Sequence, residues 1–404
     1  MGKGGKYLAK KAPAAKSRKK GKKKVLTTVL VVLLLLIVAG IIGGIWYYNY
    51  LINLISRPDD VVAPTNYEDI GTMPTIPPEI IVDETGEAST TATASTEETW
   101  PTVVSDQNIT NIMLVGQAAR EGEEHLIADT MILCSINRET KTLTMTSLMR
   151  DLRLVWPEYV DINGKPHTGN NRINMAYNMG YRWAGNNSKG GMDVLAGIVE
   201  YNFGVKVDHT VEVNFDVFQQ VMEMMEGVTV IVNQEEIDYL QKNYPESNTA
   251  KTLEPGLARL SPYLALGYAR MRKVGHGDFE RTERQRKVIT SMLWELTQMN
   301  IFEINKMFTT LLPSIVTDMT NEEITNYALE FIPMIKDIKI QSQRIPFDGT
   351  YSSKMFEIDG QQDYQLVCDA KKNGEMLRDS LGMAGFNVSN YHEMVMDELD
   401  AKTD

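Results

Sequence analysis

Residues 130–149 read TMILCSINRETKTLTMTSLM, two strand-type runs with a polar turn between them. The first run is apolar, and the second alternates apolar and polar residues with the period of a half-buried β-strand. Three further runs have strand character: NIMLVG (111–116), HTVEVNF (209–215) and VTVIV (228–232). These five runs predict the strands of a sheet.

Segments with helical periodicity lie between and after the predicted strands. They are GGMDVLAGIVEYNFG (190–204), FDVFQQVMEMMEG (215–227) and RTERQRKVITSMLWELTQ (281–298). Strands that alternate with helices along a chain form sheets whose two faces are covered by those helices. The sequence therefore predicts an α/β fold, a three-layer α/β/α sandwich with a central mixed sheet.

The composition of the chain divides it into a linker, a domain and a tail. Residues 51–107 are rich in Pro, Ser, Thr and acidic residues and show no periodicity, which predicts a disordered linker. Residues 108–385 have a globular composition and are numerous enough for one large domain. Residues 386–404 form an acidic C-terminal tail.

The N-terminal region has the pattern of a membrane anchor. Residues 1–24 contain eleven Lys and Arg and no acid, and residues 25–56 carry no charge. Residues 25–47 would make a helix of about 34 Å, enough to cross a bilayer core of about 30 Å. The basic flank indicates the cytoplasmic side. We expect a transmembrane helix over residues 25–50 and a single-pass type II cell-membrane protein whose domain is extracellular.

A cleaved signal peptide is the alternative interpretation of this region. The apolar run is longer than a usual signal-peptide core, and no A-x-A site follows it. The basic head could also contact nucleic acid, although a basic segment beside a span more simply fixes orientation and contacts anionic lipid.

The distribution of charge limits the possible partners of the domain. The formal net charge of the chain is -12, and eleven of its 41 basic residues lie in the first 24 positions. An acidic domain repels polyanions at long range, so nucleic acid is not an expected partner. The two cysteines, Cys134 and Cys368, exclude a disulfide-rich scaffold, and their pairing stays open.

An arginine-rich stretch stands out in this acidic domain: residues 268–287 read YARMRKVGHGDFERTERQRK. We interpret LALGYARMR (264–272) as a strand, in which period two places Arg270 and Arg272 on one face. After a turn at VGHGDF, a helix that begins near Phe279 would carry three donors on one face: Arg281, Arg284 and Gln285.

Converging guanidinium groups near a helix N-terminus suit a diphosphate, because each guanidinium can bind phosphate oxygens with two hydrogen bonds. A solvated charged surface is the simpler alternative. Another is a network of ion pairs with Asp278, Glu280 and Glu283. On that same helix, Arg286 and Lys287 are expected to project away from the site.

A second polar cluster lies at predicted strand ends, where α/β folds place their site residues. Asp129 opens the strand ADTMILCSI, and Arg150 and Asp151 follow TMTSLM. Asp129 could instead cap a turn, and Arg150 with Asp151 could be a plain ion pair. Arg172 and Asn174, in NNRINMAYNMG (170–180), are interpreted as polar groups that order a loop.

The order and spacing of five motifs resemble those of the LytR–CpsA–Psr family of bacterial cell-envelope proteins. The motifs are NIMLVGQ, ADTMILCSINRETKTLTMTSLMRD, RINMAY, VDHTVEVNFDVFQQVMEMMEGVTV and YARMR followed by GDFERTERQ. The resemblance covers residues 108–385. A short cytoplasmic tail, one span and an outer domain are also the layout of this family.

The resemblance implies a phosphotransferase that takes an anionic glycopolymer, such as a teichoic acid or a capsular polysaccharide, from a polyprenyl-diphosphate carrier and attaches it to a peptidoglycan hydroxyl. The polyprenyl chain would lie in an apolar tunnel between sheet and helices. Asp129 would bind Mg²⁺ or lie beside the attacking hydroxyl, and with Arg150 it is an implied catalytic residue. The implied diphosphate ligands are Arg150, Arg270, Arg272, Arg281 and Gln285.

Two positions depart from the pattern of this family. Ala118 stands where a second Asp is common, and Ile127 stands where an Arg is common. The implied Mg²⁺ would therefore be weakly bound, unless Arg120, Glu121 or Glu123 compensates for the missing groups. These departures favour a second hypothesis, a non-catalytic binder of lipid diphosphates or an envelope-regulatory protein. A lipid-diphosphate hydrolase is a third.

Overall fold

The computed structural model describes residues 44, 46–57, 103–117 and 127–383, apart from residues 276, 332–333, 335–336 and 359–360. The chain forms two units, Met1–Asn53 and Leu54–Asp404. Residues 46–52 of the first unit are helical. The sheets, helices and cavity of the domain belong to the second unit.

Several N-terminal and C-terminal predictions fall outside this range. The predicted tail (1–24), nearly all of the predicted span (25–50), most of the linker and the acidic tail (386–404) lie outside the described residues. None of the helices within the described range has both the length and the hydropathy that a membrane crossing requires.

The domain is built on a six-stranded mixed sheet, here the main sheet, with the strand order β10-β3-β2-β1-β6-β9. Its strands are β1 (Ile109–Gln117), β2 (Ala128–Asn137), β3 (Thr142–Leu148), β6 (His209–Asn214), β9 (Val316–Thr317) and β10 (Lys339–Ile345). β1 is antiparallel to β2 and parallel to β6. β10 is parallel to β3, from Lys339 opposite Thr142 to Ile345 opposite Leu148.

Two smaller sheets complete the β-structure of the described residues. A four-stranded sheet has the order β11-β12-β4-β5, and β7 pairs with β8. Their strands are β4 (Leu152–Val160), β5 (Pro166–Arg172), β7 (Val228–Val232), β8 (Gly256–Leu260), β11 (Tyr351–Ile358) and β12 (Gln361–Cys368).

Helices cover both faces of the main sheet. They are α1 (Ala176–Trp183), α2 (Ser188–Phe203), α3 (Phe215–Met224), α4 (Gln234–Asn243), α5 (Asn248–Lys251), α6 (Pro262–Arg270), α7 (Asp278–Gln298), α8 (Ile301–Leu311), α9 (Asn321–Phe331) and α10 (Ala370–Leu381). On one face, Met113 and Val115 of β1 and Leu133 of β2 are buried in the largest core with residues of α1, α2 and α10. On the other face, α7 contacts β3 and β10, and α3 contacts β6. The predicted mixed sheet with flanking helices is confirmed.

Two short segments that the sequence assigned to the linker pair with the domain. Ser56 forms a bridge with Val316, and Val104 forms one with Val205. Val104 also packs against the largest core. Ser56 and Val104, both N-terminal to β1, are therefore already paired with residues of the domain.

Candidate active site

A cavity of about 510 Å³ lies on the face of the main sheet that α3, α6 and α7 cover. Most of its wall is aliphatic or aromatic. The apolar lining residues are Leu114, Val213, Val217, Phe218, Val221, Leu266, Ala269, Ile289 and Met292. An apolar cavity of this kind suits a hydrocarbon chain.

Polar groups gather on one part of the wall. They are Gln117, Asp129, Asn214, Arg270, Arg272, Arg281 and Gln285. Arg270 and Arg272 are exposed, so this part of the wall faces solvent. Five of the six predicted site residues line the cavity, and Arg150 contacts Asp129 directly.

Asp129 owes its position to a β-bulge between β1 and β2. Gly116 pairs with Thr130 and Gln117 pairs with Ala128, so Asp129 has no register partner on β1. In a regular strand, Asp129 and Thr130 would face opposite sides of the sheet. The bulge re-aims the chain, and both residues line the cavity.

Arg270 and Arg272 lie at the end of a helix, and the predicted strand LALGYARMR is wrong. Leu264, Ala265 and Tyr268 are buried at the three- and four-residue spacing of α6. The helix ends at Arg270, and the backbone of Met271 is extended. Because the chain leaves the helix between the two arginines, both can reach the same cavity.

Asp278, the first residue of α7, is the centre of the arginine cluster. Its Oδ1 lies 2.8 Å from Arg281 Nε, 3.3 Å from Arg150 Nε and 3.9 Å from Arg272 Nε. Of the three acids in the alternative ion-pair network, Asp278 is therefore paired with arginines and Glu283 with Lys287. Arg272 and Arg281 line the cavity, and Asp278 lies beside them.

Asp129 is the second carboxylate of this cluster. Its two oxygens lie 3.5 Å from Arg150 Nη1 and 3.5 Å from Arg272 Nη2, and its backbone oxygen accepts from Arg281 Nη2 at 3.2 Å. Three guanidinium groups thus share two carboxylates. We call Arg150, Arg270, Arg272 and Arg281 the arginine cradle.

Burial and like charge make Arg281 the most electrostatically strained member of the cradle. Its side chain is almost fully buried, and burial lowers its pKa; Arg272 and Arg150 lower it further, whereas Asp278 raises it. An anion that enters the cavity would relieve this repulsion between guanidinium groups.

Arg284 and Arg286 point away from the cavity, contrary to prediction for Arg284. Arg284 Nε donates to Glu236 Oε1 at 2.7 Å in a buried ion pair. Arg286 does project away from the site, as expected, but it is buried and donates to Ser147 Oγ and Ser342 Oγ. Burial lowers the pKa of Arg286 to about 10. Lys287 does lie on the surface, paired with Glu283.

The residues NNRINMAYNMG are more ordered than the predicted loop. They comprise the end of β5, a 3-10 turn at Ile173–Met175 and the start of α1. Arg172, the last residue of β5, lies 3.4 Å from Asp151 and forms an ion pair with Asp363. Asp151 in turn contacts Arg150 Nε at 3.4 Å, so Arg172 supports the cradle from outside.

A buried network that the sequence did not reveal adjoins the cavity at Gln117. Glu212 on β6 accepts hydrogen bonds from Gln117 Nε2 at 2.6 Å and from the hydroxyl of Tyr177. Burial raises the pKa of Glu212 to about 6, and hydrogen bonds from Tyr177 and Ser188 limit the increase. The alternation of valines with polar residues in HTVEVN would by itself place Glu212 on a solvent-facing side, so the sequence did not indicate this network.

Comparison with known proteins places this site in a family. The sequence profile of the LytR_cpsA_psr family matches residues 80–372 of this chain. The chain belongs to the LytR–CpsA–Psr family. The expectation from the five motifs is thereby confirmed.

Two relatives and one solved structure illustrate the similarity. A polyisoprenyl-teichoic acid–peptidoglycan teichoic acid transferase, TagU of Oceanobacillus iheyensis, is 31% identical over 229 residues, which cover 55% of this chain and 64% of the relative. Biofilm regulatory protein A of Streptococcus mutans is 26% identical over 298 residues, 71% of this chain and 68% of the relative. The fold resembles protein gbs0355 of Streptococcus agalactiae with a TM-score of 0.53 at 23% identity, covering 68% of this chain and 86% of that one.

Among the described residues, the cavity of this LytR–CpsA–Psr protein offers few oxygen donors to a magnesium ion. Within the described residues, no three His, Cys, Asp or Glu side chains form a metal-binding group. Asp129 and the amide oxygen of Gln117 are oxygen donors of the cavity wall, and Mg²⁺ commonly takes one or two carboxylates together with substrate phosphates. Ala118, Arg120, Glu121 and Glu123 lie outside the described residues.

Cys134 and Cys368 are both free thiols in this family member. Burial raises the pKa of each to about 12, so neither is a nucleophile near neutral pH. The chemistry of the site therefore rests on arginines, carboxylates and amides.

Proposed function

We propose that this protein is a membrane-anchored extracellular phosphotransferase that moves an anionic glycopolymer from a polyprenyl-diphosphate carrier to peptidoglycan. The observation that carries the proposal is the continuity of one cavity, which has an arginine cradle on its open side and an apolar wall beyond it. A diphosphate with a long hydrocarbon chain is the ligand class that matches both parts. Family membership and the transferase name of the TagU relative support the same reaction.

The cradle would bind the diphosphate by replacing carboxylates with phosphate oxygens. In the structure, Asp278 and Asp129 hold Arg150, Arg272 and Arg281 at 2.8–3.9 Å. Phosphate oxygens accept two hydrogen bonds from one guanidinium and carry more charge than a carboxylate. Arg270 and Gln285 line the same cavity and would contact the remaining oxygens.

The transfer step requires one bond to form and one to break. An oxygen of a peptidoglycan hydroxyl forms a bond to the phosphorus next to the sugar, and the bond from that phosphorus to the bridging oxygen breaks. Polyprenyl phosphate leaves, and a phosphodiester joins the glycopolymer to peptidoglycan. Asp129, beside the cradle, would accept the hydroxyl proton, and the arginines would neutralise the leaving phosphate.

Asp129 is also the residue that would hold Mg²⁺, if the ion takes part. A bound Mg²⁺ would neutralise charge on the diphosphate oxygens. Asp129 cannot be the sole base and a tight metal ligand at once, so the ion and the proton compete for it.

A transfer assay on the full-length protein in detergent tests the function. The protein is incubated with labelled carrier-linked polymer and peptidoglycan, and label is followed into peptidoglycan, into the protein-bound fraction and into water. We expect transfer to peptidoglycan. Retention without reaction indicates the binder, and release into water indicates a hydrolase.

The second candidate function, a non-catalytic binder or envelope regulator, is supported by two observations. Ala118 and Ile127 lack the carboxylate and the guanidinium that are common in this family, and Ile127 is 39% exposed. One relative, Biofilm regulatory protein A, carries a regulatory name.

The type II topology belongs to the proposal as well. Its support is the charge asymmetry between residues 1–24 and the uncharged run that follows. Mass spectrometry of the mature protein tests it, with residue 1 or 2 as the expected N-terminus. A mature N-terminus beyond residue 50 would indicate a cleaved signal peptide.

A further inference from the structure

We infer that Arg284 and Glu236, which lie outside the cavity, are positioning residues that fix the segment carrying Arg272. The inference rests on the proposed function for its consequence, because it concerns how the arginine cradle is held. Sequence periodicity placed Arg284 beside Arg281 and Gln285, but the structure gives it different partners.

Arg284 spans the segment between α6 and α7. Its Nη1 donates to the backbone oxygen of Met271 at 3.1 Å, and its Nη2 donates to that of Val274 at 3.2 Å. These two carbonyls lie on either side of Arg272. One guanidinium group therefore holds both ends of the short stretch from which Arg272 reaches the cavity.

The segment is anchored in a hydrophobic core by Met271 and Val274, but Arg272 and Lys273 between them are exposed. It follows the last residue of α6 and contains Gly275 and Gly277, both with positive φ, at 74° and 79°. Glycine adopts this backbone region freely, so the segment has access to many conformations when it is not held. Without a clamp, Arg272 would sample positions away from Asp129 and Asp278.

Glu236 sets the direction of the Arg284 side chain. Its Oε1 accepts from Arg284 Nε at 2.7 Å, and its Oε2 accepts from the backbone N–H of Asn233 at 3.0 Å. Asn233 Oδ1 in turn accepts a hydrogen bond from the backbone N–H of Glu236 at 2.9 Å, which completes a capping box at the start of α4. The carboxylate is thus fixed on both sides.

The fork of the guanidinium is essential to this arrangement. Nε, Nη1 and Nη2 of Arg284 donate to three acceptors on two different elements. A lysine ammonium is a point charge that could keep the pair with Glu236 but not reach both carbonyls. Arg284→Lys therefore keeps the positive charge beside Glu236 and removes the hydrogen bonds to the two backbone carbonyls.

The matched control is Arg378→Lys on α10. Arg378 is also buried, and its Nη1 donates to the backbone oxygen of Phe203 at 2.7 Å, on the opposite face of the main sheet. Both variants replace a buried guanidinium that binds a backbone carbonyl. Only Arg284 contacts the segment of the cradle.

The experiment has two readouts on full-length protein in detergent, at a temperature where both variants are folded. Amide hydrogen exchange of residues 272–277 tests the clamp without any ligand, and calorimetry with inorganic pyrophosphate tests its consequence. In Arg284→Lys we expect faster exchange in this segment and about tenfold weaker pyrophosphate binding, comparable to one lost charged hydrogen bond. Arg378→Lys should leave both unchanged.

The outcomes separate the clamp from the proposed function. Unchanged exchange in Arg284→Lys, or equal effects in both variants, overturns the clamp. Faster exchange with unchanged pyrophosphate affinity overturns the positioning role. If the wild-type protein binds no pyrophosphate while exchange still rises in Arg284→Lys, the proposed function fails and the clamp stands. Glu236→Gln, whose one amide oxygen can still accept from Asn233 N–H, leaves Arg284 without its ionic partner and should change exchange and affinity in the same direction.

Discussion

Asp278 Oδ1 lies 2.8 Å from Nε of Arg281, one turn further along the same helix, and the Arg281 side chain is 3% exposed. The same oxygen contacts Arg150 and Arg272. Together with Asp129, this carboxylate offsets the repulsion among three guanidinium groups. Under the proposed function, phosphate oxygens would take over these contacts in the complex.

Asp278→Asn removes this negative charge without changing the shape of the side chain. We expect the free energy of unfolding to fall by about 3 kcal/mol, because a nearly buried guanidinium loses its ionic partner. Inorganic pyrophosphate should then raise the melting temperature of the variant more than that of the wild type, since the ligand restores the missing charge. Glu283→Gln, at an exposed pair on the same helix, is the control and should change stability by less than about 1 kcal/mol.

Changing Arg270 and Arg272 together to Ala should weaken pyrophosphate binding by at least about a hundredfold, because each lost charged hydrogen bond is worth about 1.5–3 kcal/mol. Isothermal calorimetry measures the change. Arg286 is unsuitable as a control because it is buried against Ser147 and Ser342. Lys287→Ala, on the surface of α7, is the control instead. Equal small losses would mean that the arginines form only a solvated surface.

Asp129 is the one carboxylate among the described residues that line the cavity, and this predicts an unusual magnesium requirement. If the protein is a transferase, activity should need high Mg²⁺, disappear in Asp129→Ala and improve at low Mg²⁺ in Ala118→Asp, which supplies a second carboxylate. A transfer assay across a magnesium titration measures this, together with direct Mn²⁺ binding by the same three proteins. Strong wild-type activity in chelator would contradict the metal assignment.

Ala269→Phe should narrow the apolar part of the cavity and leave the cradle in place. Ala269 is buried on α6 and lines the cavity. Each methylene kept out of the cavity costs about 0.8 kcal/mol, so affinity for geranylgeranyl diphosphate should fall at least about tenfold. Inorganic pyrophosphate, which has no chain, should bind the variant and the wild type equally. Equal losses of affinity for both ligands would indicate that the hydrocarbon chain binds outside this cavity.

Glu212 predicts a pH dependence of stability. Burial raises its pKa from 4.5 to about 6, so the folded protein binds a proton more tightly than the unfolded chain does. As pH rises from 4.5 to 6, the free energy of unfolding of the wild type should fall by about 2 kcal/mol relative to that of Glu212→Gln, at about 1.4 kcal/mol per pKa unit. Above pH 6, the difference between the two free energies should stay constant. Urea unfolding of both proteins at several pH values measures it. A wild type that instead gains stability relative to Glu212→Gln as pH rises from 4.5 to 6 would contradict the assignment.

The strands of the main sheet were predictable from sequence because alternation is a local signal. Runs such as TLTMTSLM keep period two, and their bounds agree with β3 within one residue. The run LALGYARMR failed because a short apolar run fits a strand or a buried helix equally well. Pro262, at the start of α6, was the available signal for a helix.

Periodicity identified the face of α7 but not its partners. At about 100° per residue, Gln285 lies about 40° to one side of Arg281 and Arg284 about 60° to the other. The cavity lies on the side of Gln285, and the other side meets Glu236. Which side faces the cavity depends on α4, a tertiary contact that no local pattern encodes. The bulge at Asp129 and the network around Glu212 are hidden for the same reason.

The parallel pairing of β10 with β3 has a consequence for the order in which the protein can fold. The two strands are separated by 197 positions in the chain, as for Thr146 and Gln343. Until β10 has been synthesised, β3 has an open edge, and such long-range pairing is intrinsically slow. Arg150 lies two residues after the end of β3. The arginine cradle can therefore reach its final geometry only late in folding, after nearly the whole domain has left the ribosome.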